Sequence, residues 1–154
     1  MTAERSEKFR VLFICVHNSG RSQMAEAFLN ALAGDRFHAE SAGFRPTHIH
    51  PLVVEAMQEK GIDISKNETR SVFKVYQDGR LYDFVITVCE ESSENECPLF
   101  PGVTTRLNWP FDNPEAFEGT HEERLIQVKR VRDEIRARVE AWINDFDTQG
   151  PSFR

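Results

Sequence analysis

Cys15-Val16-His17-Asn18-Ser19-Gly20-Arg21-Ser22 constrains this chain more than any other stretch. A cysteine and an arginine with five residues between them stand between an apolar run (Val11-Leu12-Phe13-Ile14) and a helix-forming run from Gln23 to Leu29. A loop joining a strand to a helix N-terminus curls successive backbone N–H groups around an anion, and the helix end adds partial positive charge. The Arg21 guanidinium can hold two oxygens through its fork. The same field favours the thiolate of Cys15, the form that acts as a nucleophile. A bland alternative, a strand-end cysteine serving as a small hydrophobe, fits the spacing alone. Context favours a tetrahedral oxyanion. Ser22 is expected to cap the helix and to bond the cysteine sulfur, while Asn18 and Gly20 both tolerate left-handed backbone. Val16, His17 and Ser19 complete the anion-binding loop, and His17 either contacts the anion or faces solvent.

Composition narrows the setting. With 154 residues, 40% of them hydrophobic, the chain can bury a real core in one domain. The opening MTAERSEKFR is polar and charged, unlike a secretory signal or an anchor. No apolar run approaches the ~18–20 residues of a membrane span. The formal charge of −6 disfavours a nucleic-acid partner. Three cysteines without an export signal suit a reducing cytoplasm and reactive thiols. The expected organisation is a flexible leader over 1–8, a single catalytic domain over 9–148 and a short tail over 149–154. Nothing demands more than a monomer.

The pattern alternates strands and helices. Phe9–Val16 reads as a buried strand, and Ser22 to Ala33 as a helix burying Met24, Ala25, Phe28, Leu29 and Leu32, with Gly34 as its stop. Phe37–Ser41 is a short strand closed by Ala42-Gly43. Pro51 to Lys60 is a helix with proline in its first turn. A short helix within Ser65–Tyr76 ends near Asp78-Gly79. Asp83–Val88 and Thr105–Trp109 are strands, and Pro110–Gly119 is a loop. Thr120 to Phe146 is a long helix whose apolar stripe is core packing. This order implies a parallel sheet covered on both faces, with binding at the carboxyl ends of its strands. Cys15, Cys89 and Asp112 all follow predicted strands and are expected at one edge.

Cys15 is the candidate nucleophile, with Arg21 and the loop amides on the equatorial oxygens. A displacement also needs a proton donor for the leaving oxygen. Asp112, in the segment WPFDNP, is the first candidate, although an Asp before Asn-Pro also suits a turn. Glu115 and Glu118 are weaker substitutes. Cys89 and Cys97 flank an acidic segment. Either Cys89 is a packing residue and Cys97 incidental, or the two thiols relay a disulfide outward by exchange. Seven intervening residues do not match the short spacings of zinc sites. His38, His48, His50 and His121 fall in no ligand pattern, so neither a metal nor a cofactor is expected.

These residues carry a resemblance. VLFICVHNSGRSQMAEAF, Ser41-Ala42-Gly43, EAMQEKGIDIS, DFVITVCEESSENECP, WPFDNP and VKRVRDEI are similar to the thioredoxin-coupled arsenate reductases of the low-molecular-weight protein tyrosine phosphatase superfamily. The resemblance implies a three-layer α/β sandwich around a four-stranded parallel sheet. It implies that Cys15 attacks arsenate, with Asn18, Arg21 and Ser22 shaping the loop and Asp112 assisting the departure of water. Cys89 would then attack Cys15, releasing arsenite. Cys97 would resolve that disulfide, and thioredoxin would reduce the resulting Cys89–Cys97 pair. The other branch of the fold, the phosphatases that hydrolyse phosphate monoesters through a phosphocysteine, usually has Pro where this chain has Gln23. Those enzymes commonly carry a second cysteine where Gly20 stands, and their acid directly precedes Pro. Some relatives bind potassium through a carboxylate near the position of Arg70. The arginine argues against a cation here, although Asn18, Glu26 and Ser41 match the rest of that site.

Overall fold

The computed structural model describes residues 8–89 and 104–149. Four strands, β1 (Phe9–Cys15), β2 (Phe37–Gly43), β3 (Phe84–Thr87) and β4 (Thr105–Asn108), form one parallel sheet in the order β2-β1-β3-β4. β1 is central, and residues 11–15 are buried. Such an apolar run suits a strand covered on both faces. The helices that flank the sheet are α1 (Arg21–Ala33), α2 (Pro51–Gln58), α3 (Val72–Gln77) and α4 (His121–Gln149). This is the covered parallel sheet that the alternating pattern implied and the three-layer sandwich that the resemblance implied.

The stripe on α4 is core, as expected. Val128, Val131, Ile135, Val139, Trp142 and Phe146 are buried. The Trp142 ring stands edge-on to Phe84 with centroids 4.9 Å apart, and Phe146 meets Phe37 at 4.8 Å and Phe9 at 5.0 Å. Offset and edge-on aromatic pairs of this kind add to the stabilisation from burial alone. Arg132, only 3% exposed, staples α4 to α2 by donating to the Ala56 carbonyl at 2.8 Å and to Glu59 at 2.7 Å. Lys129 also bonds Glu59, at 2.6 Å. Hydrogen bonds from these two cations hold the Glu59 carboxyl down at about 2.

A second polar cluster braces the edge strand. Glu40 on β2 accepts from Tyr82 Oη at 2.6 Å, from Arg80 Nη1 at 3.0 Å to both oxygens, and from Arg10 Nη2 at 3.3 Å. His38 Nε2 lies 3.0 Å from the same carboxylate. Burial opposes ionisation of Glu40, but these partners win and hold its carboxyl below the ordinary value.

Several local expectations need correction. Leu32 is 38% exposed and lies off the buried face of α1. Ser22 does not cap α1: the N-cap is Gly20, with no side-chain cap bond. Gly20 is not left-handed (φ −147°), whereas Asn18 is, at φ 55°. β2 runs on through Ala42-Gly43 because both stay paired with Ile14 and Cys15. α3 begins where the Ser71 hydroxyl accepts the Phe73 and Lys74 amides.

Candidate active site

Cys15 is the last residue of β1 and is 2% exposed. Its sulfur lies 2.9 Å from the Ser22 hydroxyl and accepts the Asn18 amide at 3.2 Å. Both contacts fix the position of the sulfur. Ser22 is thus used for the sulfur rather than for the helix cap. Asn18, in its left-handed conformation, turns the loop inward, and its amide group donates to Ser22 Oγ at 2.8 Å. The Asn18 Oδ1 accepts from Gln23 Nε2 at 3.2 Å and from the Arg70 amide at 2.9 Å. Gln23 also donates to the Glu68 carbonyl and accepts from Asn67, both at 3.2 Å. Around the sulfur the loop is therefore held by neutral side chains that fix its shape without spending its charge.

That charge is Arg21. Its side chain opens α1, is 5% exposed and donates to the Phe111 carbonyl at 3.0 Å. Among the described residues no carboxylate lies within ion-pair distance of it. A buried guanidinium bonded only to a carbonyl is prepared for an anion.

The loop rests on a segment that sequence reasoning missed. Phe44, Arg45, Thr47 and His50 donate backbone amides to the carbonyls of Cys15, Val16, His17 and Ser19, at 3.2, 2.8, 3.0 and 2.9 Å. With those carbonyls tied outward, the loop's amides are free to point in. Gly43 permits the approach: a Cβ there would stand 2.7 Å from the Asn18 amide nitrogen and 2.8 Å from the Val16 carbonyl oxygen. Ala42-Gly43 after a predicted strand was the available signal. Its reading as a mere strand end hid its role under the loop.

A small cleft opens over the loop, lined by Cys15, Ser19, Arg21, His50 and Glu115 among others. His50, which belongs to no sequence motif, caps α2 by accepting the Leu52 amide on Nδ1 at 3.1 Å. Burial pushes its imidazole below the ordinary value, so it contributes no fixed positive charge. His17 lies 2.9 Å from Glu115 through Nδ1. Asp112 follows β4 at the expected edge, but its carboxylate pairs with Arg130 on α4 at 3.0 Å and is 66% exposed. Asn113, Pro114 and Glu115 line the cleft in its place.

Cys89 follows β3 and is 1% exposed. The register pairs Ile14 with Thr87, so Cys15 and Cys89 leave neighbouring strands at the same edge, one step apart. Cys97 lies outside the described residues, as do residues 1–7 of the leader, residues 150–154 of the tail and the acidic segment between the two cysteines. Residue 149, expected in the tail, ends α4 instead. No group of three metal-binding side chains occurs among the described residues. The potassium position of some relatives does not fit here. The Ser41 hydroxyl donates to Glu26 at 2.8 Å, and the charge of Arg70 acts on the same carboxylate. Burial raises the Glu26 carboxyl, and the arginine supplies the positive charge that a cation would bring.

Comparison with known proteins places this geometry. The family model described as low molecular weight phosphotyrosine protein phosphatase matches residues 10–151. An arsenate reductase of Shouchella clausii is 42% identical over 132 residues, covering 86% of this chain and 93% of that protein. A solved arsenate reductase in the oxidized state superposes with a TM-score of 0.71 at 28% identity, covering 86% of this chain and 94% of its own. A thioredoxin-dependent arsenate reductase of Corynebacterium glutamicum gives 0.59 at 34% identity, covering 88% and 64%. The chain belongs to the low molecular weight phosphotyrosine protein phosphatase family.

Proposed function

We propose, from that membership and the geometry of the cleft, that this chain reduces arsenate to arsenite and that Cys15 is its nucleophile. One observation carries the reading: a buried cysteine bonded by Ser22 and Asn18 faces the same cleft as a buried arginine that has no carboxylate partner among the described residues. Arginine and the amides of residues 16–22 hold the oxygens of arsenate, and the Cys15 thiolate forms a bond to arsenic as water departs.

The relay belongs to the same proposal. Cys89 attacks the Cys15 sulfur, the S–As bond breaks, and its electron pair stays on arsenic, which leaves as arsenite. The two electrons come from the thiols, now a Cys15–Cys89 disulfide. Cys97 attacks Cys89, restores the Cys15 thiolate and leaves a Cys89–Cys97 disulfide for thioredoxin to reduce. The emergence of Cys15 and Cys89 from adjacent strands supports the first exchange. The named thioredoxin dependence of the C. glutamicum relative supports the reductant. A cytoplasmic monomer with one catalytic domain over residues 9–148 completes the reading, and no helix among the described residues is long and apolar enough to cross a membrane.

The loop also accepts phosphate esters, so a latent phosphatase activity is part of the proposal. Single substitutions separate the two chemistries. Cys89→Ala is expected to end arsenate turnover and to leave aryl phosphate hydrolysis largely intact. Cys97→Ala is expected to stop after one arsenate turnover with thioredoxin as reductant. Survival of repeated arsenate turnover in either variant would remove the relay.

A further inference from the structure

The sequence offered Asp112 as the acid, yet its carboxylate turns to Arg130 on α4. Glu115 is the carboxylate that reaches the loop. Its Oε2 accepts the Ser19 hydroxyl at 2.6 Å and lies 2.9 Å from His17 Nδ1. It lines the same cleft as Cys15 and Arg21.

Its placement is fixed from three sides. Asn113 Oδ1 accepts the Glu115 amide at 3.0 Å and starts the 3₁₀ turn Pro114–Ala116 that presents it. Pro114 lies against Gly20, where a Cβ would stand 3.6 Å from the proline ring. The bond from Arg21 to the Phe111 carbonyl ties the stem of the same segment to the loop. A proton donor must be held within hydrogen-bond reach of the group it serves, and this segment meets that need at residue 115.

We propose that Glu115, backed by His17, supplies the proton to the oxygen that leaves when Cys15 is arsenylated. This rests on the reading of the cleft given above. The Cys15 thiolate forms an S–As bond to hydrogen arsenate and an As–O bond breaks. The departing hydroxyl takes one proton from Glu115 and leaves as water. Burial opposes ionisation of Glu115, but the Ser19 and His17 contacts win and hold its carboxyl below the ordinary value in the free cleft. A dianion bound beside it favours the protonated form. The proton that is transferred sits on Oε1, the oxygen that neither Ser19 nor His17 binds. Transfer leaves the carboxylate, and solvent restores the proton. With a phosphate ester the same proton goes to the alcohol or phenol oxygen.

The test uses the full chain with Glu115→Gln and Asp112→Asn beside the unmodified protein. Phenyl phosphate and 2,4-dinitrophenyl phosphate differ in how much their leaving oxygen needs a proton. Arsenite formed in the first turnover of the reduced protein gives an independent readout. Glu115→Gln should lower kcat/KM on phenyl phosphate about 10²-fold, affect the dinitrophenyl ester less than about tenfold, and slow the first arsenate turnover about 10²-fold. Asp112→Asn should stay near the unmodified protein on all three. A graded loss in Asp112→Asn, or an equal loss on both esters in Glu115→Gln, would overturn the assignment. Failure of arsenate turnover in the unmodified protein, with the graded ester loss intact, would remove the reductase and leave Glu115. Normal arsenate turnover in Glu115→Gln would remove Glu115 and leave the reductase.

Discussion

Glu40 and Arg21 are both charged, both nearly buried at 7% and 5% exposure, and both beside the central strand, yet the fold treats them oppositely. Glu40 is surrounded by Arg10, Arg80, Tyr82 and His38. Arg21 donates to one carbonyl and has no carboxylate partner among the described residues. A buried charge without its counter-ion costs stability. The first cluster is closed and structural. The second is left open to an anion, and its neighbours (Asn18, Ser22, Gln23) are neutral, so they shape the loop without cancelling its charge. An open charge marks function here, and a satisfied one marks architecture.

Breaking the open cluster should remove activity and spare the fold. Cys15→Ser is expected to abolish both arsenate reduction and ester hydrolysis, while circular dichroism and the melting temperature stay close to the parent. Retained ester hydrolysis would show that Cys15 is not the nucleophile. Arg21→Lys keeps the charge but loses the fork, and kcat/KM should fall about 10²–10³-fold, the range for loss of an oxyanion donor. The same variant should lose the stabilisation that inorganic phosphate gives the parent, which reaches about 2.7 kcal/mol at a hundredfold excess over Kd. Unchanged phosphate stabilisation in Arg21→Lys would place the anion elsewhere.

The closed cluster should behave in reverse. Glu40→Ala leaves two arginines and a tyrosine without their acceptor, and stability should fall by about 2–3 kcal/mol in urea titration. Its ester hydrolysis should remain near the parent's, and a large loss of activity with intact stability would dissolve the contrast. The smallest effect concerns acid. The Glu59 carboxyl lies at about 2 in the folded chain, below its ordinary value. A lowered carboxyl stabilises the fold above its unfolded value, and that contribution is lost as pH falls from there towards about 2. Glu59→Gln should therefore flatten the stability profile between pH 4.5 and 2. An unchanged acid limb would show that the Lys129 and Arg132 contacts contribute nothing in solution.

The sequence made the frame legible because its signals were local and periodic. The apolar run Val11–Ile14, the stripe on α4 and the Pro51 helix start all depend on neighbours along the chain. The loop from Cys15 to Arg21 was legible for the same reason, since one short stretch contains most of the atoms that form it. What stayed hidden depends on contacts across the fold. The amides of residues 44–50 that hold the loop carbonyls belong to no motif, and Gly43 is essential only because another backbone passes 2.7 Å from where its Cβ would be. Asp112 and Glu115 are three residues apart and chemically alike. Only the turn at Asn113-Pro114 and the position of Arg130 decide which one faces the cleft. Ser22 was read correctly for the sulfur and wrongly for the helix cap, because one hydroxyl cannot serve both.

The most direct test of the central claim follows NADPH oxidation on adding arsenate to this protein with thioredoxin and thioredoxin reductase, with aryl phosphate hydrolysis measured on the same preparation. Sustained consumption of NADPH that requires arsenate and disappears in Cys89→Ala is the expected result. Ester hydrolysis without arsenate-dependent NADPH consumption would contradict it, and would make the cleft that of a phosphatase in which Cys89 and Cys97 have no redox role.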